Sequence, residues 1–159
     1  MVRCLPILAL LVTGCPAAQP QPTPTDAGTG GIVATEPVTL TLKVAGFRSE
    51  AGTVRVAVFT GPGGFPADHS QAAHTWVGKI LLGQVQLSLP DMAPGAYAIA
   101  VIHDENDNGK LDTNLLGVPA EGFGVSNDPA PGMGPPAFDQ ARFDLDPDDP
   151  VVEIEMRYF

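Results

Sequence analysis

The chain has 159 residues, with 8 Lys and Arg against 18 Asp and Glu, and its formal charge is −10. One domain is expected at this length, and a hydrophobic fraction of 44% is enough for a modest core. The acidic balance argues against nucleic acid as a partner, because such binding rests on Lys and Arg that neutralise phosphates. Abundant glycine (18) and proline (17), with few aromatic residues, argue against a large all-helical fold.

The first fifteen residues have the layout of a secretory signal. Arg3 supplies a positive charge near the start, and the apolar run 5–12 is too short to cross a bilayer as a helix. The end of this segment, Val12-Thr13-Gly14-Cys15, resembles the bacterial lipoprotein signal, in which a small residue precedes a cysteine that is acylated and becomes the new N-terminus. The resemblance implies a lipid on Cys15. The alternative is an ordinary signal peptide in which this cysteine is incidental.

The signal and the segment after it predict the organisation of the chain. If Cys15 is acylated, Cys4 leaves with the signal, so the mature domain has no thiol for disulfides or catalysis. Residues 16–36 are dominated by Pro, Gln, Thr, Ala and Gly, which predicts a disordered tether reaching roughly 60 Å. We therefore expect a signal peptide at 1–14, a lipidated cysteine with its tether at 15–36, and one domain at 37–159. The predicted location is extracytoplasmic, on the cell envelope, with the outer membrane preferred if the cell has one.

The rest of the chain has the patterns of β structure. Alternating apolar and polar residues indicate half-buried strands, and the continuous apolar run 96–103 indicates a central strand. The predicted strands are 38–44, 53–59, 76–82, 85–89, 96–103, 141–145 and 151–158. About seven strands with turn-rich connections favour an all-β fold, a single antiparallel β-sandwich of immunoglobulin or transthyretin type with one long loop. A small open barrel is the alternative. The long segment 113–139 is expected either to form an ordered lid or to cover a sheet edge.

The segment after the central strand carries the candidate chemistry. Residues 104–112, DENDNGKLD, place side-chain oxygens at loop positions 1, 3, 5 and 9 and glycine at position 6, the first part of the EF-hand pattern. Calcium takes about six to eight oxygen ligands, and alternate residues of a tightly curled loop point inward to supply them. The predicted ligands of this loop are the side chains of Asp104, Asn106, Asn108 and Asp112 and the backbone carbonyl of Lys110.

The loop departs from the EF-hand at position 12, where Leu115 replaces the bidentate glutamate. Glu121 is the candidate for a further ligand, because Pro119 and Gly122 could fold its carboxylate back; Asn114 and water are alternatives. Calcium in a structural role is therefore the expected cofactor. The other interpretation is a polar turn of Asn, Asp and Gly, residues that favour turns without any ion. Against that interpretation stands the repulsion among four carboxylates within nine residues.

A set of motifs surrounds this loop and continues to residue 143. It comprises GAYAIAVIHDENDNGKLDTN at 95–114, Leu116-Gly117-Val118-Pro119, Glu121-Gly122-Phe123-Gly124, Ser126-Asn127, Gly134-Pro135-Pro136, Phe138, Ala141 and Phe143. The set resembles a family of bacterial secreted proteins catalogued as domain of unknown function 2141. The resemblance implies an extracytoplasmic β domain and no established activity. A strand followed by DxNxNGxxD is also similar to the calcium-binding β-sandwich repeats of bacterial surface adhesins.

No motif predicts catalysis, so the chain is not expected to be an enzyme. The glycine-rich stretch 61–64 lacks the Lys-Ser/Thr of a phosphate-binding loop, and His69 and His74, which could bind a transition metal with Asp68, have no third ligand motif. The expected function is a membrane-anchored binding or interaction module with a structural calcium loop, whose partner is an envelope protein or a glycan. The alternatives are a purely structural envelope lipoprotein without an ion, and a calcium-organised hydrolase or carbohydrate-binding protein.

Overall fold

Eight β-strands in two sheets make up the part of the chain that a computed structural model describes, residues 36–130, 132 and 134–159. The strands are β1 (Val38–Ala45), β2 (Thr53–Phe59), β3 (His74–Gly78), β4 (Val85–Met92), β5 (Ala96–Asp104), β6 (Gly122–Val125), β7 (Phe143–Asp144) and β8 (Val151–Glu155). A 3-10 turn (His69–Gln71) and one short helix, α1 (Phe138–Ala141), accompany them. The predicted signal peptide 1–14, Cys15 and the tether up to residue 35 lie outside the described residues. No helix among the described residues is long and apolar enough to cross a bilayer.

The strands form a sandwich, which confirms the predicted fold class. The smaller sheet has the order β4-β1-β8, and the larger has the order β3-β2-β5-β6 with β7 paired to the start of β5. Every pairing between strands is antiparallel except that of β1 with β8, which is parallel. This one departure from a wholly antiparallel sandwich has a topological cause. Because β7 brings the chain to the start of β5, β8 begins near the N-terminal half of β1 and runs in the same direction.

The burial of each strand follows from its position. In β1 the inward residues Leu40, Leu42 and Val44 are buried and the residues between them are more exposed, as the alternating sequence predicts. In β5 nearly every residue is buried, because both faces of this strand are covered. Its inward face packs in the core between the sheets, while its outward alanines join a second apolar cluster that includes Phe138 of α1. The continuous apolar run of β5 therefore marks a strand covered on both sides.

Several predicted strands have other bounds in the structure: 85–89 extends to Met92, 141–145 is reduced to Phe143–Asp144, and 151–158 ends at Glu155. Two further segments differ more. The predicted strand 76–82 is shorter and earlier in the structure, His74–Gly78, because the chain turns at Leu81–Gln84. The predicted loop 113–139 contains β6, which pairs along β5 and covers its edge, and it leads into α1, which packs on the outward face of the larger sheet. Of the two expectations for this loop, the structure matches the cover for a sheet edge.

The loops of the sandwich are divided between two ends. Thr53 pairs with Asp104, Val54 with Gly78 and Val44 with Val85, so the loops 46–52, 79–84 and 105–121 share one end, called here the loop end. The opposite end holds residue 36, the β2–β3 connection, the turn before β5, α1 and the segment from β7 to β8. All strands and both apolar clusters belong to one compact unit, Ala34–Phe159. The hydrophobic core that the described residues form therefore lies within this unit.

Candidate functional site

The candidate calcium loop begins at the last residue of the central strand. The Asp104 side chain is fully buried, and its Oδ2 accepts hydrogen bonds from Arg55 Nε over 2.7 Å and from the backbone N–H of Gly109 over 2.7 Å. Its Oδ1 accepts from the backbone N–H of Asn108 over 2.9 Å. The loop therefore curls back around this one carboxylate, and glycine at position 109, with φ 88°, allows the sharp turn.

The next predicted ligands continue the same pattern of side chain to backbone bonds. Asn106 Oδ1 accepts from the N–H of Asn108 over 3.1 Å, and Asn108 Oδ1 accepts from the N–H of Lys110 over 3.0 Å. Asp112 Oδ2 accepts from the amide nitrogens of Asn106 (2.7 Å) and Asn108 (2.8 Å). The Lys110 ammonium lies 3.8 Å from Asp112 Oδ1. The structure thus brings Asn106, Asn108 and Asp112 into direct contact beside Asp104.

Glu121 closes the loop from its far end. It is only 5% exposed, and its Oε1 accepts from the N–H of Glu105 over 2.9 Å while its Oε2 accepts from the N–H of Asp112 over 3.0 Å. The carboxylate is folded back onto the loop, where the sequence analysis placed it. Asn114, the alternative ligand, instead accepts from the N–H groups of Leu116 and Val118 and orders the turn that follows.

Each of the four carboxylates in residues 104–112 has its own cationic partner. The ion pairs are Arg55 with Asp104, Arg48 with Glu105, Lys79 with Asp107 (3.8 Å) and Lys110 with Asp112 (3.8 Å). Sequence reasoning missed three of these cations, because Arg48, Arg55 and Lys79 come from the β1–β2 loop, β2 and the β3–β4 loop. Their proximity depends on the order of strands in the sheet. The repulsion expected among the carboxylates is offset by these four side chains.

The same contacts set the acid–base properties of the loop. Burial alone would raise the pKa of Asp104, but the hydrogen bonds from Arg55, Gly109 and Asn108 outweigh it and hold that pKa below its usual value. The amides of Asn106 and Asn108 lower the pKa of Asp112. The Arg48 guanidinium lowers the pKa of Glu105 against the opposing effect of burial. The loop therefore holds these three groups as carboxylates.

The donor set of the loop fits calcium by chemistry. Asp104 Oδ1, Asn106 Oδ1 and Asn108 Oδ1 each accept one backbone N–H, and an oxygen of this kind has capacity for a second partner. Among residues 36–130, 132 and 134–159, no three His, Cys, Asp or Glu side chains converge as metal ligands. A calcium ion here would consequently depend on the two asparagine oxygens, and the amide nitrogens now facing Asp112 would turn away. The same absence within these residues leaves the candidate transition-metal site at His69 and His74 without support.

Buried His103 and half-buried Tyr158 form a pair next to the loop, and sequence reasoning did not predict this pairing. His103 is fully buried; its Nδ1 lies 2.7 Å from the Tyr158 hydroxyl, and its Nε2 lies 2.8 Å from the carbonyl oxygen of Ala51. The carbonyl can only accept, so Nε2 donates to it, and in a neutral imidazole Nδ1 then accepts from the hydroxyl. The Arg48 guanidinium lies 4.6 Å above the Tyr158 ring, and burial raises the pKa of that tyrosine. These contacts connect the C-terminal segment, β5 and the β1–β2 loop.

The comparisons with known proteins give one match. The model of a family described as "Uncharacterized protein conserved in bacteria (DUF2141)" matches residues 42–153, which is well over half of the chain. Neither the curated proteins nor the solved structures gave a match.

Proposed function

Because the chain belongs to DUF2141, a family described only as uncharacterised proteins conserved in bacteria, we propose its function from its own residues. It is an extracytoplasmic β-sandwich domain held at a membrane by an acylated Cys15, and its loop 104–121 binds one calcium ion. The domain acts without catalysis, as a module that presents this loop to an envelope protein or a glycan. The arrangement of Asp104, Asn106, Asn108 and Asp112 around one turn, anchored on the buried Asp104 carboxylate and clamped by Glu121, carries the proposal.

Calcium would hold the loop together in place of the hydrogen bonds between its side chains. The ligands are the side-chain oxygens of Asp104, Asn106, Asn108 and Asp112 and the carbonyl of Lys110, with Glu121 as the further carboxylate. Such a set of neutral and charged oxygens suits calcium better than magnesium, which needs near-octahedral geometry and keeps its waters. Because the ion binds the folded loop alone, it stabilises the native state, by about 2.7 kcal/mol at a roughly hundredfold excess over Kd.

A second candidate is a structural envelope lipoprotein whose loop needs no ion. One observation favours it: the four carboxylates of residues 104–112 are already paired with Arg48, Arg55, Lys79 and Lys110. The hydrolase alternative gains nothing from Glu121, whose two oxygens each accept a backbone N–H in a nearly buried position. A catalytic carboxylate would need to face a substrate cleft.

A thermal melt decides between the first two candidates. The protein is the Cys15→Ser chain, melted with calcium, with magnesium and with a chelator. Calcium alone should raise Tm by several degrees, and the double variant Asn106→Ala with Asp112→Ala should lose that rise. Asp107→Asn is the matched control, because Asp107 is exposed and points to Lys79 rather than into the loop. Melts that coincide under all three conditions would favour the ion-free candidate.

The lipid anchor has its own test. Cell fractionation with a carbonate wash should leave the wild-type chain in the membrane fraction and release Cys15→Ser. Each buried methylene of an acyl chain contributes about 0.8 kcal/mol, so several chains withstand the wash whereas an unlipidated domain does not. Mass spectrometry of the processed N-terminus identifies the modification. A wild-type chain released as readily as Cys15→Ser would contradict acylation.

A further inference from the structure

Two turns at the loop end carry the same exposed tripeptide, Leu-Leu-Gly. Leu81 and Leu82 are 71% and 91% exposed at the β3–β4 turn, and Leu115 and Leu116 are 105% and 88% exposed in the loop before β6. These four are the only exposed leucines among residues 36–130, 132 and 134–159. Single exposed apolar residues are ordinary. Here, however, the exposed leucines are concentrated on two turns at one end of the domain.

Both turns are fixed rather than loose. In the first, Leu81 and Gln84 exchange backbone hydrogen bonds of 3.1 and 3.2 Å, and Glu50 accepts from the N–H of Gly83 over 3.0 Å. In the second, the Asn114 side chain accepts from the N–H groups of Leu116 (2.9 Å) and Val118 (3.1 Å). The backbone that carries the leucines is therefore ordered before any partner binds, which lowers the backbone entropy lost on binding.

Leu82 has an unfavourable conformation as well as an unfavourable environment. Its φ is 55°, in the left-handed region that suits Gly and Asn, and its side chain packs against nothing that would offset the strain. Leu82 thus has a strained backbone and an apolar side chain exposed to water, and neither stabilises the domain. This combination indicates that the side chain contacts something other than the domain itself.

The first turn contacts the loop that carries the second. Lys79, at the base of the first turn, donates to the carbonyl of Gly52 over 2.6 Å and lies 3.8 Å from Asp107 of the candidate calcium loop. The four leucines are largely exposed, and none of them lines either of two surface clefts that lie beside β8. Exposed aliphatic side chains on turns can insert into the apolar region of a lipid bilayer. A peptide or a small ligand instead needs a concave binding site.

The charge of the domain is distributed unequally between its ends. The loop end has a formal charge of −2, from the cations Arg48, Arg55, Lys79 and Lys110 and the anions Glu50, Asp104, Glu105, Asp107, Asp112 and Glu121. The opposite end has −7, from Arg142 against Glu36, Asp68, Asp91, Asp139, Asp144, Asp146, Asp148 and Asp149. A negatively charged surface therefore repels the opposite end more strongly and turns the leucines toward itself. A calcium ion would bring the loop end to neutrality.

We propose that the loop end docks on a phospholipid bilayer, with Leu81, Leu82, Leu115 and Leu116 inserted at the interface. The inference rests on the proposed membrane attachment. The predicted tether reaches roughly 60 Å, while an eight-residue strand spans only about 26 Å, so the loop end can return to the membrane that holds Cys15. The tether also raises the local concentration of the leucines at that membrane, which lets a weak insertion take effect.

Vesicle flotation tests the docking on the unlipidated chain that begins at Pro16, which retains the whole compact unit. The vesicles contain phosphatidylcholine and phosphatidylglycerol at 3:1, with calcium or with chelator. The wild-type chain should float in at least one of the two conditions, and Leu82→Asp with Leu116→Asp should reduce the bound fraction at least tenfold. Ala93→Asp, an exposed change at the opposite end, should bind as the wild type does. Melting temperatures verify that the exposed substitutions leave the fold intact.

A dye reports which end enters the lipid. The chain from Pro16 has no cysteine, so Leu116→Cys and Ala93→Cys can each be labelled with an environment-sensitive fluorophore. Emission should shift to the blue on vesicles for the label at 116 and stay unchanged for the label at 93.

Three outcomes would each overturn the proposal: no flotation of the wild-type chain in either condition, equal flotation of the leucine variant, or a blue shift for the label at 93. So would self-association that the leucine variant abolishes, because it would assign the leucines to a second copy. Neither Cys15 acylation nor the calcium melt is affected by these outcomes, so failure of the docking and failure of the proposed function are read separately.

Discussion

Arg55 Nε donates to Asp104 Oδ2 over 2.7 Å, and this ion pair joins the middle of β2 to the residue where the candidate calcium loop begins. The Asp104 side chain is fully buried and that of Arg55 is 27% exposed. A carboxylate in that position needs a compensating charge or hydrogen bonds. The shape of the loop therefore depends on a residue 49 positions earlier in the chain.

Replacing Arg55 should destabilise the domain. Arg55→Met leaves Asp104 buried without its cation, so the free energy of unfolding should fall by about 2–4 kcal/mol, somewhat less than for a fully buried pair. Urea titration at pH 7 measures the loss. Arg142→Met, which removes an exposed pair with Asp144, is the matched control and should cost less than about 1 kcal/mol. If calcium binds the loop, saturating calcium should reduce the loss in Arg55→Met, because the ion supplies the missing charge.

The domain should lose stability in acid. The pKa values of Asp104, Glu105 and Asp112 are lowered in the folded state, so these groups stabilise it above the unfolded pKa of about 4 and cease to do so as pH falls through the folded values. Urea titrations should give a nearly constant free energy of unfolding between pH 7 and 5, on this account, and a decline below about pH 4. Asp104→Asn should be less stable at pH 7 and decline less steeply. Equal acid slopes in the two proteins would contradict the assignment.

Glu121 should be needed for the loop whether or not calcium binds. Glu121→Ala leaves the backbone N–H groups of Glu105 and Asp112 without their acceptor, which should cost about 2–3 kcal/mol. Glu121→Gln retains one acceptor oxygen and should cost less. Calcium titration by calorimetry then shows whether Glu121 also coordinates calcium or only accepts the backbone hydrogen bonds. Calcium affinity that is unchanged in Glu121→Ala would remove this residue from the proposed ligand set.

Leu82→Asn should stabilise the domain. The Leu82-Gly83 turn has positive φ at both residues, 55° and 72°, and Asn-Gly is the pair that such a hairpin turn prefers. Relief of the strain should add up to about 1 kcal/mol to the free energy of unfolding. Leu116→Asn, which changes an equally exposed leucine outside the left-handed region, is the control and should add nothing. A gain in stability together with weaker vesicle binding would show that folding and docking make opposite demands on this residue.

Gly124→Ala should destabilise the edge of the larger sheet. A Cβ at this position would lie 2.7 Å from Ile154 Cγ2 and 3.0 Å from the carbonyl oxygen of Glu155. Such overpacking typically costs about 1–3 kcal/mol. Gly61→Ala is the matched control, because nothing lies within 4 Å of its Cβ position. Equal melting temperatures for the two variants would show that β6 can shift away from β8 at little cost.

The sequence predicts strands best where apolar residues show a clear pattern. The predicted strand 53–59 coincides with β2, and 96–103 is one residue shorter than β5. The strand β6 was not predicted, because Gly122-Phe123-Gly124 shows no alternation. Tyr158 and Ile154 occupy the space where side chains at Gly122 and Gly124 would lie, which explains the glycines but could not be read from the sequence. The predicted end of β3 was wrong, because nothing in the sequence indicates that Leu82 adopts the left-handed conformation of a turn.

The sequence predicted which residues form the candidate site, but not most of the cations that surround it. The spacing of residues 104–112 indicated which side chains converge, and Glu121 lies where that analysis expected it. The cations that neutralise the loop could not be predicted, since Arg48, Arg55 and Lys79 meet it only through the order β3-β2-β5. Membership of DUF2141 is confirmed by the family match. Calcium binding and acylation of Cys15 stay predictions.

The parallel contact between β1 and β8 also determines when the domain can be completed. Lys43 and Glu153 pair across this contact although they are 110 positions apart. Contacts between such distant residues form late, because a long loop must close before they are made. A chain that emerges N-terminus first, from a ribosome or from a translocation channel, holds β1 without one of its two neighbours until residues 151–155 have come through. The parallel topology therefore delays closure of the smaller sheet until its last strand is available.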